Sequence, residues 1–145
     1  MGWGTLGYAF PASIGAAAAL SEPVVCFNGD GGFLFSIGEL ATVAQEQIPL
    51  TTVVVDDGGY GMLRHGKDAA GNRFGTELAS PDFAQIAAGF GIATRATEGV
   101  GEEFREALAA AVASGEPNLL VTKARMLPPR TTSPRWPLRD AAPVA

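Results

Sequence analysis

Two aspartates, each closing an apolar run, are the residues of this sequence best placed to do chemistry. Asp30 stands in "CFNGDGGFLF" (26–35) and Asp57 in "VVVDDGGYG" (53–61). The glycines after each acid let a backbone turn sharply and approach a ligand closely. The runs before them read as strands of a parallel sheet, whose carboxyl ends share one side, where open α/β sheets bind ligands. If the two strands are neighbours, the carboxylates come within about one inter-strand spacing, ~5 Å, plus side-chain reach. Two carboxylates, with a carbonyl turned inward by "GGYG", are hard oxygen donors suited to Mg²⁺, which completes its shell with water and substrate phosphate. Gly31 and Gly32 then open a helix whose unpaired N–H groups can receive a phosphate. The pattern calls for a Mg²⁺-bridged diphosphate. The same spacing also suits two aspartates that merely end strands as turn formers or caps, and the residues alone leave both readings open.

The elements that must position these acids are legible in outline. "PVVCFNG" (23–29) and "LTTVVVD" (50–56) read as strands, with "GIATRAT" (91–97) and "NLLVTKA" (118–124) as weaker candidates. Helical patterns lie between them at "FLFSIGELATVAQEQ" (33–47), "SPDFAQIAAGF" (80–90) and "VGEEFREALAAAVASG" (100–115). In the first, Phe33, Ile37, Leu40, Ala41 and Ala44 share a face. Ser80, Pro81 and Asp82 signal a helix start, and Gly115 a helix stop. The alternation predicts an α/β fold, doubly wound, with a mainly parallel sheet and helices on both faces. Residues 64–79 read as a polar loop. The chain divides into one domain, 1–127, and a proline-rich extended tail, 128–145. The helix expected in "YAFPASIGAAAALSE" (8–22) carries no charge before Glu22 and is apolar all round, as a helix covered on every side would be. Four strands are few for such a sheet, so either a partner covers this surface or the domain is incomplete.

Composition narrows the classes. The 145 residues are 47 % hydrophobic and 17 % charged, with a net charge of −5 and no basic cluster, which argues against nucleic-acid binding. No apolar run is long enough to span a membrane, and no charged region precedes the first apolar stretch as in a signal peptide. The single cysteine, Cys26, reads as a buried strand thiol and fits a reducing cytoplasm. "GWGTLG" (2–7) matches a dinucleotide fingerprint only in its glycines: no strand precedes it, and Glu22 precedes a strand instead of ending one. His65, the only histidine, follows "YGMLR" and is the candidate for substrate contact or proton transfer, although a lone loop histidine is ordinarily just solvated.

"GDGGF" (29–33), the stretch that follows it and "DDGGYG" (56–61), preceded by "WGTLGYAFPASIGAA" (3–17), together resemble the C-terminal diphosphate-binding domain of thiamine diphosphate-dependent enzymes of the acetolactate synthase and benzoylformate decarboxylase type. The resemblance covers nearly the whole chain, but those enzymes are several times longer. It implies thiamine diphosphate and Mg²⁺ as cofactors. Asp30, the Asp57 side chain and the Gly59 carbonyl would hold the metal, and the Gly31 and Gly32 amides the diphosphate. Leu6 would be the apolar wedge that bends the cofactor, and the Gly4 carbonyl would accept from its amino group. Most relatives carry asparagine where Asp57 stands. Mg²⁺ with two carboxylates has no net charge, so helix amides must do more for the diphosphate, on the order of 1 kcal/mol. The implied activity is decarboxylation of a 2-oxo acid or its condensation with a second carbonyl compound. The glutamate that activates the cofactor in such enzymes belongs to a pyrimidine-binding domain absent from this chain. Partners are therefore a 2-oxo acid and either a second copy of the chain or a pyrimidine-binding subunit. A non-catalytic cofactor-binding chain and a nucleotide-binding α/β module are the alternatives.

Overall fold

The computed structural model describes residues 4–64 and 74–126. Four strands, β1 (Val24–Gly29), β2 (Leu50–Asp56), β3 (Ala93–Glu98) and β4 (Asn118–Lys123), form one parallel sheet in the order β1-β2-β4-β3. The expected α/β architecture is present. β1 and β2 are neighbours, with Gly29 opposite Val55, so the segments that follow them leave the sheet side by side.

Helices cover both faces, and alternation along the central strands explains how. Val54, Leu119 and Val121 point to one side, into a core with Phe10 and Ala17 of α1 (Ala9–Ala19), Leu40 and Val43 of α3 (Leu40–Gln45) and Phe83 and Ala87 of α4 (Phe83–Gly89). Val53 and Leu120 point to the other, against Ala107 and Ala111 of α5 (Glu102–Ser114). α5 ends where expected, at Gly115, whose φ of +67° is the left-handed cap that glycine adopts without strain. β3 gave a weak sequence signal because it is an edge strand with most of its residues exposed.

The helix expected over 33–47 is broken. α2 (Asp30–Leu34) starts three residues earlier, a 3₁₀ turn covers Ile37–Glu39, and α3 follows. The interruption falls at Ser36 and Gly38, residues that hold an α-helix poorly. The consequence is functional, because Asp30 sits within a helical first turn and not in the turn before it. Only part of the expected face survives: Phe33 and Leu40 are buried, whereas Ala41 is exposed.

Phe33 anchors that turn. Its ring meets Phe10 at 5.0 Å and Phe83 at 5.8 Å, both edge-on, tying α2 to α1 and α4. Phe33→Ala is expected to cost about 3–5 kcal/mol, since all three rings are fully buried and the hole cannot collapse. Urea denaturation followed by circular dichroism measures this.

Coverage is incomplete on one side. α1 packs on β1, but Pro11, Ala12, Gly15, Ala18 and Ala19 are exposed, and no acidic residue opens it nor basic residue closes it. β1 is the other edge of the sheet, and Phe27 on it is 57 % exposed. Among the described residues the apolar helix is thus covered on one side only. None of their helices is long and apolar enough to cross a membrane. The proline-rich tail lies outside the described residues.

Candidate functional site

Two clefts open at the carboxyl end of β2. One, about 370 Å³, lies toward β4 and is lined by Asp56, Asp57, Gly58, Lys123, Ala124 and Arg125. The other, about 360 Å³, lies toward β1 and brings Asp30, Asp57 and Gly59 together with Gly29, Gly61 and Met62. The second contains all three expected metal donors.

Asp30 is 2 % exposed. Burial, and then the nearby Asp57 and Asp56, hold its carboxyl above the usual carboxylate range, against the pull of the Gly31 amide. That amide donates to Asp30 Oδ1 at 2.8 Å, so of the two glycine N–H groups expected to meet a diphosphate, Gly31's is engaged by the neighbouring acid. Gly32, also in the first turn, has no intrahelical acceptor for its N–H.

Ser80 binds both strand ends. Its hydroxyl lies 2.8 Å from Asp56 Oδ1 and 3.3 Å from Asp30 Oδ2. A hydroxyl has one proton to give, so it donates to Asp56, and the second contact is a hydrogen bond only when Asp30 is protonated. Ser80 lies just outside α4, whose cap is Asp82, accepting from the Gln85 amide at 2.9 Å. Asp56 also accepts from the Gly58 amide at 3.1 Å, and so serves as a turn former.

Asp57 is the ligand candidate of the pair. Its side chain is 10 % exposed; Oδ2 lies 3.6 Å from Arg64 Nη1, and Oδ1 is buried without a hydrogen-bond partner. An orphaned, buried carboxylate oxygen costs free energy unless a cation or donor joins it. Among the described residues no group of three or more His, Cys, Asp or Glu side chains could hold a metal, so a site here needs main-chain oxygen as well. Asp30, Asp57 and a glycine carbonyl fit a hard divalent cation.

Gly59 belongs to this arrangement and can be nothing but glycine. A Cβ there would run into the Thr76 carbonyl and come within 2.9 Å of Arg64 Nη2. The close approach is a β-bridge between Gly59 and Glu77, flanked by Tyr60 N–H to Thr76 O at 2.8 Å and Leu78 N–H to Gly58 O at 2.9 Å. Gly59→Ala is expected to cost roughly 1–3 kcal/mol by forcing the two segments apart. It should also weaken divalent-cation binding, which Mn²⁺ paramagnetic resonance would register.

The remaining expectations fare unevenly. Leu6 is 43 % exposed, and its Cδ2 lies 3.9 Å from where a Gly32 Cβ would stand. It leans over the start of α2. Gly4 is exposed, with φ of +65°. His65 lies outside the described residues. The stretch read as a polar loop has structure at both ends: Arg64 closes a helical turn from Gly61, and Glu77 pairs with Gly59. Arg64, 2 % exposed, was not singled out in the sequence, and nothing in local spacing could have done so.

The family described as "Thiamine pyrophosphate enzyme, C-terminal TPP binding domain" matches residues 1–122. The chain belongs to this family. It is 38 % identical over 126 residues to the "Probable acetolactate synthase large subunit" of Methanococcus aeolicus, covering 82 % of this chain and 20 % of that protein. With "Acetolactate synthase isozyme 2 large subunit" of Escherichia coli it shares 38 % identity over 95 residues, 63 % of this chain and 17 % of the relative. Among solved structures, the thiamine diphosphate-dependent 4-hydroxybenzoylformate decarboxylase of Rhodococcus jostii superposes with a TM-score of 0.73 at 31 % identity, covering 83 % of this chain and 23 % of that one. Benzoylformate decarboxylase from Polynucleobacter necessarius gives 0.76 at 25 % identity, covering 88 % and 25 %. This TPP-binding domain therefore spans about a fifth of the curated relatives' length and about a quarter of the solved chains'.

Proposed function

We propose that this TPP-binding domain is the metal–diphosphate anchor of a thiamine diphosphate-dependent 2-oxo-acid decarboxylase or carboligase, acetolactate synthase-like, that works with a pyrimidine-binding partner. The observation that carries the reading is Asp57, which lines with Asp30 a cleft where two parallel strands end and whose Oδ1 is buried without a hydrogen-bond partner. Asp30, Asp57 and the Gly59 carbonyl hold Mg²⁺, and the first turn of α2 meets the diphosphate through Gly32. The Gly59 carbonyl accepts from the Gly61 amide at 3.0 Å, which fixes its direction and leaves one lone pair. Thiamine diphosphate, once bound, supplies the carbon nucleophile and the electron sink for loss of CO₂ from a 2-oxo acid. The chain's own part is to neutralise, hold and orient the diphosphate, with Leu6 over the start of α2 as the apolar support and the Gly4 carbonyl as acceptor for the cofactor's amino group. His65 remains the candidate for contact with substrate.

A second reading, a chain that binds cofactor without turnover, draws on the exposed β1 edge and the uncovered side of α1. Thermal shift with thiamine diphosphate, thiamine and ADP, each with Mg²⁺, tests the binding claim shared by both. Stabilisation by the diphosphate but not by thiamine is expected. An equal response to ADP would favour a nucleotide-binding module.

A further inference from the structure

Arg64 is a buried guanidinium shared between two acids. Its Nε lies 3.0 Å from Glu77 Oε1, and Nη2 lies 3.3 Å from Glu77 Oε2 and 3.3 Å from the Asp57 carbonyl oxygen. Nη1 lies 3.6 Å from Asp57 Oδ2. Glu77 is 60 % exposed at its side chain, whereas those of Arg64 and Asp57 are 3 % and 10 % exposed. A purely structural arginine pinning residues 76–78 to the 58–61 turn would be satisfied by Glu77 and the main chain. Here the same group also stands in ion-pair range, at 3.6 Å, of one oxygen of the acid that lines the cleft, and the other oxygen, Oδ1, is buried without a hydrogen-bond partner. Charge near a desolvated site is screened far less than on an open surface, so this guanidinium bears on whatever binds Asp57.

We propose that Arg64 is a positioning and charge-balancing residue for Asp57: it holds Oδ2, presents Oδ1 to the cleft, and offsets one negative charge so that a metal-bound diphosphate is not repelled. The inference rests on the diphosphate-anchor reading above. Its consequence is a pair of opposite signs. Removing the positive charge makes the empty site more negative, so a bare divalent cation binds more tightly while a diphosphate added at saturating metal binds less tightly. Removing the Glu77 charge does the reverse, because the guanidinium then answers to Asp57 alone. A merely structural arginine would lower both affinities together when lost.

The test uses the 145-residue chain and its Arg64→Gln and Glu77→Gln variants at low ionic strength. Mn²⁺ binding is read by paramagnetic resonance, and thiamine diphosphate binding at saturating Mn²⁺ by calorimetry. Arg64→Gln is expected to tighten Mn²⁺ and weaken thiamine diphosphate, each by about three- to tenfold, the scale of one partly desolvated charge contact. Glu77→Gln, at an exposed position that keeps the fold, is expected to shift both the opposite way by about twofold, the scale of a surface charge. If Arg64→Gln does not fold, the Glu77→Gln signs decide. Parallel changes in the two affinities, or none, in a variant that folds overturn the proposal. Binding of neither ligand by the unaltered chain overturns the diphosphate-anchor reading and the proposal with it.

Discussion

Asp30→Ala is expected to abolish Mg²⁺-dependent binding of thiamine diphosphate, a loss of roughly a hundredfold or more, since losing even an outer-shell partner of a metal ligand costs ~10–100-fold. Asp30 is the more buried acid of the cleft, and Asp56, which does not line it, has one carboxylate oxygen engaged by Ser80 and the Gly58 amide. Asp57→Asn should instead retain binding or tighten it. The amide keeps an oxygen donor and removes a negative charge, and Arg64 keeps Glu77 as its partner. Loss of binding in Asp57→Asn with retention in Asp30→Ala would contradict the ligand assignment. The raised pKa of Asp30 adds a pH signature. The metal must displace a proton that the folded chain holds more tightly than an ordinary carboxyl does, so Mg²⁺ affinity falls as pH drops through that raised pKa, with proton release on binding. Stability moves the other way. Between the ordinary value of 3.8 and the raised one, the folded metal-free chain binds more protons than the unfolded chain. Its stability therefore decreases as pH rises through that window. Asp30→Asn should remove this slope, which urea midpoints over the pH range would show.

The second large effect is an absence of turnover. The 145-residue chain alone is expected to release no CO₂ from pyruvate or benzoylformate above the uncatalysed rate. The activating glutamate of such enzymes is expected in a pyrimidine-binding domain, and holding a cofactor without activating it gives little rate. Glu39 and Glu46, the candidate substitutes after Asp30 in sequence, are badly placed. Glu39 accepts from Thr42 Oγ1 at 3.0 Å and Glu46 from Gln45 Nε2 at 2.7 Å, both on the exposed side of the α3 region and neither lining the cleft. The open β1 edge, with Phe27 beside it, and the bare side of α1 are apolar surface that a further chain segment or subunit would bury at ~25 cal/mol per Å². Adding a pyrimidine-binding subunit should therefore raise both solubility and activity. Turnover by the chain as a well-behaved monomer would contradict this account of the active site.

What the sequence disclosed and what it hid divide along a physical line. β2 was legible because a buried parallel strand is a continuous apolar run, and the acids at the strand ends were legible as such, although spacing alone left turn former and ligand equally open. The break in the 33–47 helix was obscured because its apolar period continues across Ser36 and Gly38, where the local propensity fails. Arg64, Glu77 and Ser80 could not be found by spacing. Arg64 lies seven residues beyond Asp57, and Glu77 and Ser80 come from a segment 13 or more residues further along the chain, brought to the acids beside the Gly59–Glu77 bridge, which depends on tertiary packing. Ser80 was read as a helix-start signal, and the helix does start beside it, but the hydroxyl faces the acids. The sequence showed the excess charge at Asp57; only the structure shows the guanidinium that answers it.

The central claim is that the Asp30–Asp57 cleft binds a diphosphate through a divalent cation. Calorimetric titration of the unaltered chain with thiamine diphosphate, with Mg²⁺ and then with a chelator, tests it most directly. Saturable binding with Mg²⁺, and loss of that binding when the metal is removed, is the expected result. Binding of equal strength in the presence of chelator, or none with Mg²⁺, would contradict it.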